Sequence, residues 1–209
     1  MTAAKARAAT TDRKYYGVAE GIVEDVADPD RENKVRVRFP WFDDTEVSDW
    51  CRMANTFAGN GYGSTWTPEV GDEVLVGAED GDPSHLYVLG MLWNGQQKPP
   101  ASNDDGDNNT RLIKSRSGHL VRFNDDQSQP ELEVKLSDGK RVLLDQNGIT
   151  IDDGTGNTMT ITSSSGAVSI EASQQLSLKA TTITIEASSS MSVTSSGTLT
   201  LQGSVVQIN

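Results

Sequence analysis

Residues 149–209 read ITIDDGTGNTMTITSSSGAVSIEASQQLSLKATTITIEASSSMSVTSSGTLTLQGSVVQIN. One small phrase recurs: an apolar residue, a Ser, Thr or similar residue, a second apolar residue, then a short polar break. The pairs are Ile149/Ile151, Met159/Ile161, Val168/Ile170, Leu176/Leu178, Ile183/Ile185, Met191/Val193, Leu199/Leu201 and Val206/Ile208, with starts 10, 9, 8, 7, 8, 8 and 7 residues apart. Period-two alternation predicts short strands with one apolar and one hydroxyl-rich face. Gly154, Gly156, Gly166, Gly197 and Gly203 stand in or beside the breaks, where sharp corners need permissive backbone. No apolar spacing of 3.6 residues occurs, so no helix is expected. A ribbon this thin buries too little apolar surface to offset the ordering of its backbone. Three copies wound together, apolar edges inward, would add sheet pairing and leave few open strand edges. The expectation is an intertwined trimeric β-helix. A disordered Ser/Thr-rich tail has no reason to alternate regularly. A single-chain β-helix would need longer turns and more coils, and the calcium-binding GGxGxD repeat is absent.

The chain has 209 residues and a formal net charge of −12. A trimer would carry 3 × −12 = −36, which argues against general affinity for nucleic acid or anionic membrane. All four tryptophans lie before residue 95, which predicts a conventional core in the front part. Cys51 is the one cysteine and follows Trp50 in a strand-like stretch; it is expected to be a buried small hydrophobe. The opening MTAAKARAATTDRKYY has no apolar core, so no secretory signal and a cytoplasmic site of synthesis are expected.

Read along the chain, residues 1–14 are small and polar and are expected to form a flexible N-terminus. Residues 15–97 are expected to hold five strands, at 17–26, 34–39 (KVRVRF), 47–53, 73–76 and 85–92, separated by DPDREN, PWFDD, AGNGYGS and DGDP. Five short strands in so few residues predict a small closed barrel of the OB type. Residues 98–110, KPPASNDDGDNNT, have linker composition. Residues 111–209 open with longer alternating strands and DG and NG turns, a collar of sheet that leads into the trimeric β-helix. The fold class expected is all-β throughout.

Several segments in the same order carry a resemblance. These are FPW at 39–41, PEVGDEVLV at 68–76, GDP at 81–83, LGMLWNG at 89–95, SGH at 117–119 and the repetitive tail. The chain resembles the phage baseplate assembly protein V and VgrG group, the central spike proteins of contractile injection systems. The resemblance implies a homotrimer whose barrel docks to a baseplate hub protein and the inner tube. It implies a needle that pierces the target cell envelope when the sheath contracts, within a virion tail or phage-tail-like particle. Against the family pattern the chain shows no large hub domain and no lysozyme domain between barrel and needle, so a separate hub is expected. The two histidines, His85 and His119, lie far from the C-terminal end, so no iron-bound tip is expected, and a separate PAAR-type tip protein would cap the needle.

Candidate chemistry weighs little against this reading, and no catalytic, cofactor-binding or metal-ligating residue is expected. The glycines at 59, 61 and 63 lie between strands with no helix to follow, unlike a phosphate loop. The run 103–109, NDDGDNN, lacks calcium-loop spacing. Ser117 and His119, expected on one strand face with Asp125 nearby, suggest a hydrolase, but no substrate pocket is evident. A cell-wall hydrolase spike is therefore one alternative class. The other is a single-stranded nucleic-acid binder built on Arg31, Lys34, Arg36 and Arg38 with Trp41 and Trp50. Residues 1–100 hold 10 Lys and Arg against 17 Asp and Glu, a net of −7, so these cations are expected to pair locally or to meet an acidic hub.

Overall fold

A computed structural model describes residues 15–208. The flexible arm expected at 1–14 lies outside them. Every regular element among the described residues is a strand, and the boundary between two units falls between Asp104 and Asp105.

The first unit contains β1 (Val18–Asp25), β2 (Arg36–Phe39), β3 (Asp43–Val47), β4 (Arg52–Met53), β5 (Ala58–Gly59), β6 (Tyr62–Gly63), β7 (Glu73–Glu79) and β8 (Asp82–Leu92). Its main sheet runs β3-β2-β1-β7-β8-β4. Two contacts close the sheet into a ring. β4 lies parallel to β8, with Arg52 opposite Tyr87, and Cys51 bridges antiparallel to Val35 just ahead of β2. One parallel closure in an otherwise antiparallel five-stranded ring is the OB barrel. Register shifts in β1/β2 and β7/β8 mark bulges, which bend strands enough to curl a small sheet.

The interior is Val23, Val35, Val37, Cys51, Val74, Val76 and Val88, each at most 2% exposed. KVRVRF thus points its valines inward and its arginines outward, as alternation requires. Cys51 is buried as expected. The tryptophans are not in this core: Trp41, Trp66 and Trp93 are exposed and Trp50 is half-buried. So narrow an interior accepts β-branched side chains and leaves no room for an indole.

Three expected strands change length. The segment at 47–53 splits into the end of β3 and β4. Between them the Ser48 hydroxyl accepts the Val37 N–H at 2.9 Å and donates to the Asp49 carbonyl at 2.7 Å, replacing ladder bonds. β7 and β8 extend to within two residues of each other, joined by Asp80 and Gly81, both at positive φ (49° and 78°). That is the primed two-residue turn that matches strand twist, so GDP begins β8 and only its glycine is in the turn.

The second unit is a meander of five-residue strands: β9 (Thr110–Lys114), β10 (Leu120–Asn124), β11 (Glu131–Lys135), β12 (Arg141–Asp145), β13 (Gly148–Asp152), β14 (Thr158–Thr162) and β15 (Ala167–Glu171). Neighbours in sequence are neighbours in the sheet, all antiparallel. Only the first three tail repeats are strands of this sheet. From 172 to 208 no residue enters a ladder; the strands expected for the other five repeats are expected to pair between copies, not within one chain. Five of the meander's six reversals use glycines at positive φ, at 118, 139, 148, 154, 156 and 166, and the β10–β11 turn at 125–130 has none; residues 171–196 contain no glycine at all. At Gly148 (φ 144°) a Cβ would meet the Ile161 carbonyl oxygen at 1.8 Å, so that reversal admits no side chain.

Candidate functional site

Register assigns the meander's side chains to two faces. One row across the seven strands is Ile113, Val121, Val134, Val142, Ile151, Met159 and Ile170. The next row on the same face is Arg111, Phe123, Leu132, Leu144, Ile149, Ile161 and Val168. Thirteen of these fourteen residues are apolar. Seven strands at ~4.8 Å make the double row about 30 Å long. Much of it is open: Ile113 is 51% exposed, Ile151 47% and Val168 62%. A continuous apolar stripe of that length marks an interaction surface.

The opposite face carries the charges. Arg122 reaches both Glu131 and Glu133, the latter at 3.1 Å, and Arg141 lies 3.8 Å from Asp152. The unpaired tail continues the pattern. In the pairs from Leu176 to Ile208 the first residue is 52–57% exposed and the second 66–86%. The same two positions in every repeat thus show the same unequal exposure, as a regular ribbon with one apolar edge would.

The barrel's exposed features are mostly occupied with one another. Tyr15, Phe39, Trp41 and Phe42 form an edge-to-face aromatic cluster with centroids 6.0–6.4 Å apart. The Trp41 indole N–H donates to the Glu20 carbonyl of β1 at 2.9 Å, so FPW ties a turn to the barrel wall. Asn94, from LGMLWNG, donates to Glu73 at 2.8 Å and accepts the Gln96 and Gln97 N–H groups. These roles were not foreseen from the residues; the aromatic run itself was the signal available.

Of the basic residues singled out in the sequence, Lys34, Arg36 and Arg38 are engaged locally. Lys34 is 3.1 Å from Asp30 and 2.7 Å from Glu32, and Arg38 is 3.4 Å from Glu24. Arg36 donates to the Ser48 carbonyl at 2.9 Å and lies 5.9 Å over the Trp50 ring. Arg31 stands in the loop before β2 at φ 59°. Arg52, unremarked in the sequence, lies over the Tyr87 ring and bonds its hydroxyl, which donates to Glu79. Trp41 belongs to the aromatic cluster and is remote in role from the arginine pairs.

The imagined hydrolase is not assembled. Ser117 and His119 sit in the turn between β9 and β10 rather than on one strand face. The His119 ring accepts the Ser137 N–H at 3.2 Å. Asp125 lies past the other end of β10 and pairs with Arg111; six extended residues place it roughly 20 Å from His119. In the β5–β6 hairpin Gly59 pairs with Tyr62 and Gly63 with Ala58, with Gly61 in the turn and the Phe57 and Tyr62 rings 5.4 Å apart. Within 103–109, Asp104 accepts the Ser102 hydroxyl and Asp105 the Asp107 N–H. No cluster of three metal-ligating side chains occurs among the described residues. Burial pushes the Cys51 thiol pKa up, which keeps it an unreactive core group.

The strand order and parallel closure define the class: an all-β chain headed by an OB barrel. Residues 19–93 match the family model of the type VI secretion system/phage-baseplate injector OB domain. The chain is 41% identical over 75 residues to the type VI secretion system spike protein VgrG4b of Pseudomonas aeruginosa, covering 34% of this chain and 9% of that protein. Over 117 residues it is 28% identical to spike protein VgrG1c of the same species, 53% of this chain and 15% of the relative. Spike protein VgrG3 of Vibrio cholerae is 33% identical over 87 residues, 40% and 9%. The chain is therefore VgrG-like in its barrel, and its matched part spans about a tenth of the length of these curated relatives.

Proposed function

We propose that this chain is the structural central spike of a contractile phage tail or phage-tail-like injection system. Three copies bring their apolar stripes together, the barrels dock to a hub protein and inner tube, and the needle pierces the target envelope when the sheath contracts. A PAAR-type tip protein caps the needle, and no chemistry is required of the chain. The observation that carries this reading is the double apolar row, open along seven strands and continued by five unpaired repeats. A single chain leaves those side chains and backbone groups to water; neighbouring copies would bury and pair them. The injector OB domain at the front supports the setting.

Sedimentation and light scattering of the purified chain test it. The expected particle is elongated, with a mass of three times 22.5 kDa, or 67.5 kDa. A monomer at micromolar concentration rejects the proposal. Copurification of hub and tip proteins with the assembled particle tests the partners.

A further inference from the structure

The chain leaves the meander at a defined point. Asp153, in the turn between β13 and β14, accepts the Thr155 and Asn157 N–H groups at 2.8 and 3.0 Å and the Thr155 hydroxyl at 2.6 Å. It also accepts the side-chain NH₂ of Asn157. The other end of that amide, Asn157 Oδ1, accepts the Ser173 N–H at 2.9 Å and the Ser173 hydroxyl at 3.2 Å. The amide has one workable orientation: a carboxylate only accepts and a backbone N–H only donates. Ser173 is two residues past β15, where intrachain pairing stops. Just beyond, Leu176 joins Val134, Val142, Ile151, Met159 and Ile170 around an open concavity of about 660 Å³ at that end of the apolar face.

We propose that Asn157 is a positioning residue for assembly: anchored to Asp153, it catches the backbone at Ser173 and fixes where and in which direction the tail passes from pairing within its own chain to pairing with other copies. This rests on the trimeric reading above. The clasp is the last fixed point before a segment with no internal ladder. An error of one residue there would turn every later apolar pair to the wrong face, because strand side chains alternate.

The test uses the full-length chain. Lys179 is the only Lys or Arg after Arg141, so one tryptic bond, six residues beyond Ser173, reports the order of the emerging tail. In the wild-type trimer that bond is expected to resist trypsin. In Asn157→Ala it is expected to be cut at least tenfold faster, with the barrel's near-UV spectrum unchanged. Asn157→Asp separates positioning from general packing. It sets two carboxylates against each other, which raises the pKa of one. Its clasp then holds when that group is protonated and fails as pH rises through the raised value. Amide hydrogen exchange of the segment after Ser173, corrected for intrinsic rates, should show protection at pH 5 and loss at pH 8. The wild type should be flat between them, because the hydroxyl and amide donors hold the Asp153 pKa low. The nearby charges are Asp152, paired with Arg141, Lys140, paired with Asp138, and Glu171 on β15. A trimeric wild type with equal cleavage in Asn157→Ala, or no pH dependence in Asn157→Asp, overturns the clasp alone. A monomeric wild type overturns both the trimer and the clasp.

Discussion

At Gly21 of β1 a Cβ would stand 2.3 Å from Val37 Cγ1, inside the barrel's valine core. Gly21→Val should therefore destabilise the barrel by about 2 kcal/mol or more through overpacking. Val37→Ala should cost about 2 kcal/mol through the cavity it leaves. Urea unfolding followed by tryptophan fluorescence measures both, and an unchanged midpoint for either would mean the core is looser than its burial implies. The sequence's alternation foretold Val35 and Val37. It misled on the tryptophans, because a large apolar side chain signals burial somewhere without saying where. On this barrel the indoles serve as exterior ties, through the Trp41 N–H to Glu20 and the Trp50 ring under Arg36. Asp82 yields a pH prediction. The Ser84 hydroxyl and N–H, with His85, lower its pKa to about 2. A depressed carboxyl pKa favours the fold above the unfolded value and loses that contribution as pH falls through the folded one. NMR titration should place the Asp82 midpoint near 2, and Ser84→Ala should return it toward the ordinary carboxylate range.

Among the elements, the meander strands teach how a face is built. Thr160 and Ile161 are adjacent in β14 but point to opposite faces: Thr160 stands opposite Thr150 and Ser169, and Ile161 opposite Ile149 and Val168. Ile161→Asp should abolish the trimer, while Thr160→Asp should leave it intact. Light scattering distinguishes them, and equal behaviour would mean the faces are wrongly assigned. This much could be read from the pattern before any coordinates, since period-two alternation fixes which residues share a side. The division of the repeat at Glu171 was harder to see, because apolar pairs continue past it and their starts only tighten, from 10 and 9 residues apart to 7 or 8. The supply of glycine changes as well: five of the six reversals up to Gly166 turn on positive-φ glycines, and none is available from 171 to 196. A ribbon that does not fold back on itself must find its hydrogen bonds elsewhere. The break at Ser48 between β3 and β4 was not legible either, because a serine hydroxyl standing in for ladder bonds looks like any other polar residue in a strand.

At the scale of the molecule, the two units draw on different sources of order. The barrel closes its own ring and buries valines and Cys51 at its centre, with Phe39, Met53 and Leu86 packed against them, so its stability is internal. The meander and tail leave their apolar face open and, after Glu171, their backbone unpaired, so their order depends on other copies in the proposed assembly. A trimer of net charge −36, three times −12, would also resist non-specific association with anionic surfaces. Separating the units should expose this asymmetry. A chain ending at Asp104 retains all four tryptophans, so its near-UV circular dichroism should match that of the full chain, and it should sediment as a monomer. Its unfolding should be independent of protein concentration, whereas the full chain's tail transition should shift upward with concentration, as mass action requires of an assembled state. Loss of the near-UV signal on truncation would mean that the barrel, too, needs the assembly to fold.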